Sequence, residues 1–246
     1  MPFVVLGVVS FLSWFISMVA GGGSPLMLIP LVSFMYGAQA VAPVITTGML
    51  LGNIQRLFYF WEDIEWEVTL WQLPGVIVGS ILGAFTLNYI NLEWLQFVIG
   101  ISLLLMVANY WFGNQESTFT LKTWQFLPLG FGNSFASGLI GSTGPIMNPA
   151  YINYGLLKEA MVATKAANII LAHVIKLCAY ASLGNLNREY VIYGVVIGAA
   201  AFPANWLGQW VLSKMSNDLF KQVTFIFIAV SGIMMLWEQR QVLMAW

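Results

Sequence analysis

Charge is what this sequence has least of. Of its 246 residues only 8% are charged, against roughly a quarter in soluble domains. Hydrophobic residues make up 59% and the mean hydropathy is +0.81. So few polar groups cannot cover a folded surface in water, which excludes a soluble globular protein and makes lipid the solvent for most of the chain. The net charge of −1 offers no basic face for nucleic acid. One cysteine, Cys178, excludes an internal disulfide, and its place in an apolar run is that of a small buried residue. No His/Cys cluster has metal-ligand spacing and no glycine loop follows a strand to cradle a phosphate. No metal and no cofactor is expected.

Carboxylates are missing from a particular place. Glu62, Asp63, Glu65, Glu67, Glu93, Glu116, Glu189, Asp218 and Glu238 fall in or beside polar connectors, and Glu159 opens a helix, where the dipole favours an acid. None stands at mid-membrane, which argues against a carboxylate proton relay or a carboxylate cage for a cation.

What is present is a succession of apolar runs. Those at residues 2–20, 40–60, 69–87 and 92–112, then 124–140, 158–183, 190–212 and 219–237, approach or exceed the ~20 residues that cross a hydrocarbon core. The first run, with no Lys or Arg ahead of it, reads as a crossing rather than a cleaved signal. Tryptophans at the ends of runs, among them Trp61, Trp66, Trp94, Trp111, Trp124, Trp237 and Trp246, form the expected interfacial belt. Lys158, Lys214 and Lys221 oppose Lys122, Arg188 and Arg240 across eight crossings, so charge sets no orientation.

Two of the apolar runs end in the same interruption. Gly21-Gly22-Gly23-Ser24-Pro25-Leu26-Met27 returns as Gly141-Ser142-Thr143-Gly144-Pro145-Ile146-Met147, offset by 120 positions (141 − 21). Backbone that lipid cannot satisfy is tolerated at that depth only where protein or a water-filled cavity surrounds it, and paired interruptions mark transporter binding sites. Each is followed by an apolar segment too short to span, 26–36 and 146–154. Arg56 pairs with Lys176 and Asn53 with His173 at the same offset. The expected fold is therefore one all-α integral membrane domain, about eight transmembrane helices in two duplicated four-helix halves (1–113 and 120–241), each half with a glycine-rich broken or re-entrant segment. If the short segments do not cross, the halves run parallel; if they do, the second is inverted. Gly75, Gly79 and Gly83, and Gly194 and Gly198, read as rows for close helix packing.

Positive charge does occur at membrane depth. Lys165, Asn168, Ala172 and Lys176 share one helix face. A Lys near a helix centre costs roughly 2.5–3.5 kcal/mol on insertion scales, so it should face protein or water. The expected substrate site combines Gly21, Gly22, Gly23, Ser24, Ser142, Thr143, Gly144 and Asn148 at the breaks with Lys165 and Asn168. Thr46, Asn53, Arg56, His173 and Lys176 are expected along the pathway or in coupling. Cations and free N–H groups without internal acids favour a small anion as cargo. Arg56, one turn from a helix end, also reads as a side chain snorkelling to the interface.

With these features placed, the chain resembles the sulfite exporter TauE/SafE family of membrane permeases. The resemblance rests on Gly21-Gly22-Gly23-Ser24-Pro25 through Pro30, on Thr46-Thr47 and Asn53-Ile54-Gln55-Arg56, and on Gly138-Leu139-Ile140-Gly141-Ser142-Thr143-Gly144-Pro145. It implies a duplicated, multi-pass protein of the bacterial inner membrane that moves sulfite, sulfonates or related sulfur oxyanions. Thr164-Lys165 departs from the pattern, which expects a small or hydroxyl residue after the threonine. The expected activity is secondary transport of a small anion by alternating access, not enzymatic, with an anion channel or a structural membrane subunit as rivals. Partners would be the anion and the bilayer, with a homodimer open and no nucleic acid.

Overall fold

The computed structural model describes residues 2–86, 100–101, 103–108, 111, 121–143 and 145–238. Among these there is no strand. The helices are α1 (Pro2–Val19), α2 (Ser24–Tyr36), α3 (Ala38–Tyr59), α4 (Trp66–Thr86), α5 (Phe126–Ile140), α6 (Asn148–Tyr154), α7 (Lys158–Ser182), α8 (Arg188–Lys214) and α9 (Asn217–Glu238). Residues 100–101 and 103–108 are also helical; most of the run expected at 92–112 lies outside the described residues.

Among the described residues five helices are long and apolar enough to cross a membrane: α1, α4, α7, α8 and α9, the last through Trp237. The other two long runs differ for physical reasons. Helix α3 has 22 residues but carries Gln39, Thr46, Thr47, Asn53, Gln55 and Arg56. It packs against α2, α7 and α8, so it has protein neighbours and does not need an apolar surface all round. Helix α5 has 15 residues and stops at Gly141. The apolar side chains of the outer helices point outward, with Val4, Val8, Ile77, Leu82, Val195, Phe202, Ile226 and Val230 exposed, whereas Ser10, Ser13, Ser17, Ser80, Ser134 and Thr224 are buried. This is the polarity of a protein whose solvent is hydrocarbon. Cys178 is a correction: it is exposed on the outer side of α7, because the inner face of that helix is taken by Ala172, Lys176, Ala179 and Tyr180.

Between α1 and α2 the chain turns through Gly21, Gly22 and Gly23, with φ of +70°, +137° and +111°, a sequence of conformations open in practice only to glycine. Pro25 then opens α2, where its missing N–H would have had no partner in any case. After α5 the chain turns at Gly141 (φ +85°), and the seven-residue α6 starts with Pro149 in its first turn and ends on a left-handed Gly155.

Packing is reciprocal. Helices α1 and α3 both pack on α8, α5 and α7 both pack on α4, and α3 and α7 meet each other. Glycine rows make the closest contacts. A Cβ on Gly75, Gly79 or Gly83 of α4 would collide with the backbone of α5 at Leu127, Phe131 and Phe135. Between α3 and α8, Gly48, Gly194 and Gly198 instead receive the side chains of Ile197, Thr47 and Leu51, and Gly52 receives the Trp14 ring of α1. Membrane helices gain from this proximity because dispersion between backbones replaces the hydrophobic drive that lipid removes. Gly79→Leu is expected to cost about 3 kcal/mol or more by overpacking and to abolish a monodisperse detergent-solubilised peak. Gly132→Leu, at a position with open space around it, should leave thermal stability unchanged.

Candidate functional site

A helix leaves its last carbonyls without intrahelical donors, and the dipole makes that end partly negative. In this protein both interrupted helices meet a cation there. At the end of α1, Lys165 Nζ donates to the Gly21 carbonyl at 3.2 Å and to Asn148 Oδ1 at 2.7 Å. Asn148 Nδ2 in turn donates to the Ala20 carbonyl at 3.5 Å. At the end of α5, Lys176 Nζ donates to the Gly141 carbonyl at 2.6 Å, to Ser137 Oγ at 2.7 Å and to the Ser137 carbonyl at 3.3 Å. Thr46 Oγ1 adds a donor to Gly141 (3.4 Å), and Tyr180 OH one to Gly138 (2.6 Å). Both lysines belong to α7, one face of which thus closes both breaks. They are 7% and 0% exposed.

Arg56 is the third buried cation, and its burial corrects the snorkelling reading. Its guanidinium stacks over Trp14 at 4.7 Å, and Nη2 reaches the Trp14 carbonyl (3.3 Å) and Ser17 Oγ (3.1 Å). Nε donates to Asn205 Oδ1 at 3.0 Å, and Asn205 Nδ2 donates to the Gly52 carbonyl and Gln55 Oε1. Ser17 and Ser137 are offset by 120 positions (137 − 17), as are Arg56 and Lys176, so the two cations hold serines at matching offsets. Among the described residues no carboxylate is buried. Each buried cation therefore meets neutral acceptors, although stripping an ion of water costs several kcal/mol.

Beside these caps lies a narrow cavity, with about 20 Å³ open to the centre of a water molecule, room for one or two waters. It is lined by Ser142 and Thr143 from the second break and by Lys165, Asn168 and His173 from α7, five of the residues expected from sequence. Gln72, Asn133, Ser134 and Ser137 complete its polar wall. Thr143 Oγ1 donates to Asn133 Oδ1 at 2.7 Å, and Tyr151 OH to Gln72 Oε1 at 2.8 Å. Asn168 Nδ2 donates to the Thr164 carbonyl. Its Oδ1 and both ring nitrogens of His173 are buried and meet no protein partner among the described residues. Ser142 and Thr143 also line an apolar cavity on their other side, against Leu26, Ile29, Pro30, Met234 and Met235.

The remaining expected residues fall around the cavity. Gly21 and Gly22 lie against Asn148 and the Lys165 head, and Gly23 packs on Phe227. Ser24 Oγ donates to the Met49 sulfur, and Asn53 to its own helix at Met49 O. Thr46 and Lys176 bind the end of α5 at Gly141, Arg56 binds within α1 at Trp14 and Ser17, and none of the three is among the lining residues. Gly144 lies outside the described residues. Gln72, Asn133 and Asn205 were missed from sequence; an isolated amide within an apolar run is the signal that marks each. At one end of α7 the acidic connector approaches, with the Glu65 N–H donating to Thr164 Oγ1 at 2.9 Å. Partial burial, then Glu159 and Glu62, raise the Asp63 carboxyl above its ordinary range.

Lysine cannot reproduce the Arg56 geometry, since it lacks the planar fork and stacks poorly. Arg56→Lys and Asn205→Ala should each lower the melting temperature. The double-mutant cycle should show about 1 kcal/mol or more of coupling, as expected for directly bonded partners.

The sequence profile described as Sulfite exporter TauE/SafE matches residues 6–235 of this chain. Among curated proteins and solved structures, none is similar enough to count as a match. A profile that spans nearly the whole chain, over an all-helical body with five apolar crossings, shows the family: this protein belongs to the TauE/SafE sulfite exporter family of membrane transport proteins.

Proposed function

We propose that this protein is a secondary transporter of a small anion, a sulfur oxyanion such as sulfite or a compact organosulfonate, and that the cargo binds in the narrow cavity at the second break, whose wall reaches the first break through Lys165. The observation that carries the reading is a charge imbalance. Arg56, Lys165 and Lys176 are buried together with no buried carboxylate among the described residues, and an anion supplies the counter-charge that low-dielectric surroundings favour. The family name supports sulfur chemistry. Lys165 contributes charge at the wall, and Ser142, Thr143 and Asn133 contribute polar groups. His173 and Asn168 Oδ1, which lack protein partners among the described residues, meet the cargo or its proton. The acidic connector at one end of α7 makes the other end the favoured approach for an anion.

Alternating access follows from two duplicated halves, 1–113 and 120–241. The matched Arg56–Ser17 and Lys176–Ser137 bonds support that duplication, and so does the exchange of partners in which α1 and α3 hold α8 while α5 and α7 hold α4. Rocking one set against the other about the α3–α7 contact would carry the cavity, which lies in the α4–α5–α7 set, toward one side of the membrane at a time. The narrowness of the cavity favours a carrier over an open channel. A bacterial inner membrane suits a multi-pass protein of this family.

The test is a thermal-unfolding panel on purified protein against sulfite, sulfate, thiosulfate, sulfoacetate, taurine, nitrate and chloride. At saturation a cargo should raise the melting temperature by several degrees, since ligand at 100 times Kd adds about 2.7 kcal/mol. In proteoliposomes, Lys165→Ala should slow flux of the responding anion at least about tenfold, equivalent to roughly 1.4 kcal/mol of lost binding. Indifference to every anion, or undiminished flux in the variant, would remove the reading.

A further inference from the structure

The partners of the Lys165 ammonium point to more than anion binding. Among the described residues they include the Gly21 carbonyl oxygen (3.2 Å) and the side-chain oxygen of Asn148 (2.7 Å). Both are neutral oxygens, set where the dipole of α1 is negative. Oxygens of this kind bind hard cations and replace their hydration shells, whereas an anion in the same position would be repelled by them. The break is also shaped around the ammonium. Gly22, at φ +137°, lies so close that a Cβ there would run into Lys165 Nζ and Cε.

The two halves differ at this point. The second break draws its cation from Lys176 of its own half, which reaches the Gly141 carbonyl. The residue matching Lys176 in the first half is Arg56, and it stops short at the Trp14 carbonyl and Ser17. The residue matching Lys165 in the first half is Ile45 (165 − 120), buried and apolar. Lys165 is therefore a cation added to one half only, and it serves the break that the other half's arginine leaves unserved.

We infer that Gly21 and Asn148, with the Gly22 turn between them and the Lys165 head, form a monovalent-cation site that the protein fills with its own ammonium. The Gly21 and Asn148 oxygens carry no formal charge, which suits a monovalent ion. Ammonium and potassium ions are close in size, so an alkali ion replaces the head group once the side chain is shortened. The wild-type carrier, on the transport reading above, needs no sodium or potassium at this position and keeps a fixed positive charge beside its cargo through the whole cycle.

The experiment uses the purified full-length protein and reads thermal unfolding in KCl, NaCl, LiCl and choline chloride at constant chloride and ionic strength, with no sulfur anion present. The wild type should melt at one temperature in all four. Lys165→Ala should melt higher in KCl or NaCl than in choline chloride, saturably and by ~2 °C or more. Lys165→Met, which fills the space without charge, should show no salt preference. The inference is overturned by an alanine variant that ignores all three alkali ions, by one that aggregates equally in every salt, or by a methionine variant that responds as alanine does. Because chloride is constant, a positive result stands even if the anion panel fails, and that combination would remove the cargo reading alone.

Discussion

Burying a cation against the carbonyl end of an interrupted helix is the interaction on which this structure depends. Lipid cannot hydrogen-bond the carbonyls that a break exposes, and a membrane interior cannot solvate a lone ammonium. Each problem answers the other. Lys165 at Gly21 and Lys176 at Gly141 bond the orphan acceptors, and those bonds offset part of the cost of desolvating the ammonium. That is why α7, which carries both lysines on one face, occupies the middle of the protein and touches both α3 and α4.

The rest of the packing keeps these polar contacts dry on their outer side. Glycine rows draw α4 onto α5 until backbone meets backbone, and let side chains of α3 and α8 seat against the facing helix. The Arg56 cluster does the corresponding work between α1, α3 and α8, with Asn205 of α8 bonded to Arg56 and Gly52 of α3. The narrow cavity at Thr143, Asn168 and His173 is walled by α4, α5, α6 and α7 and by the chain that follows α5, beside the contact of α7 with α3.

Several elements were legible in the sequence because their physics is local. A run of apolar residues reports a crossing, three glycines and a proline report a turn, and the spacing of Lys165, Asn168, Ala172 and Lys176 reports a shared face, all four of which are buried. Other features were not legible because they are set by neighbours. Nothing near Cys178 shows that its side of α7 faces outward. The amides of Gln72, Asn133 and Asn205 become significant only through Tyr151, Thr143 and Arg56, which lie 79, 10 and 149 positions away along the chain.

Composition and periodicity by themselves determined that this chain lives in lipid, that it is helical, and that it breaks at Gly21–Gly23 and after Ile140, because hydropathy, glycine conformation and proline geometry act within a turn or two of the residue concerned. Which carbonyl each lysine holds was decided by tertiary structure alone. A long cationic side chain on a helix can reach several partners, and only the crossing of α7 between α3 and α4 places Lys165 at the first break and Lys176 at the second.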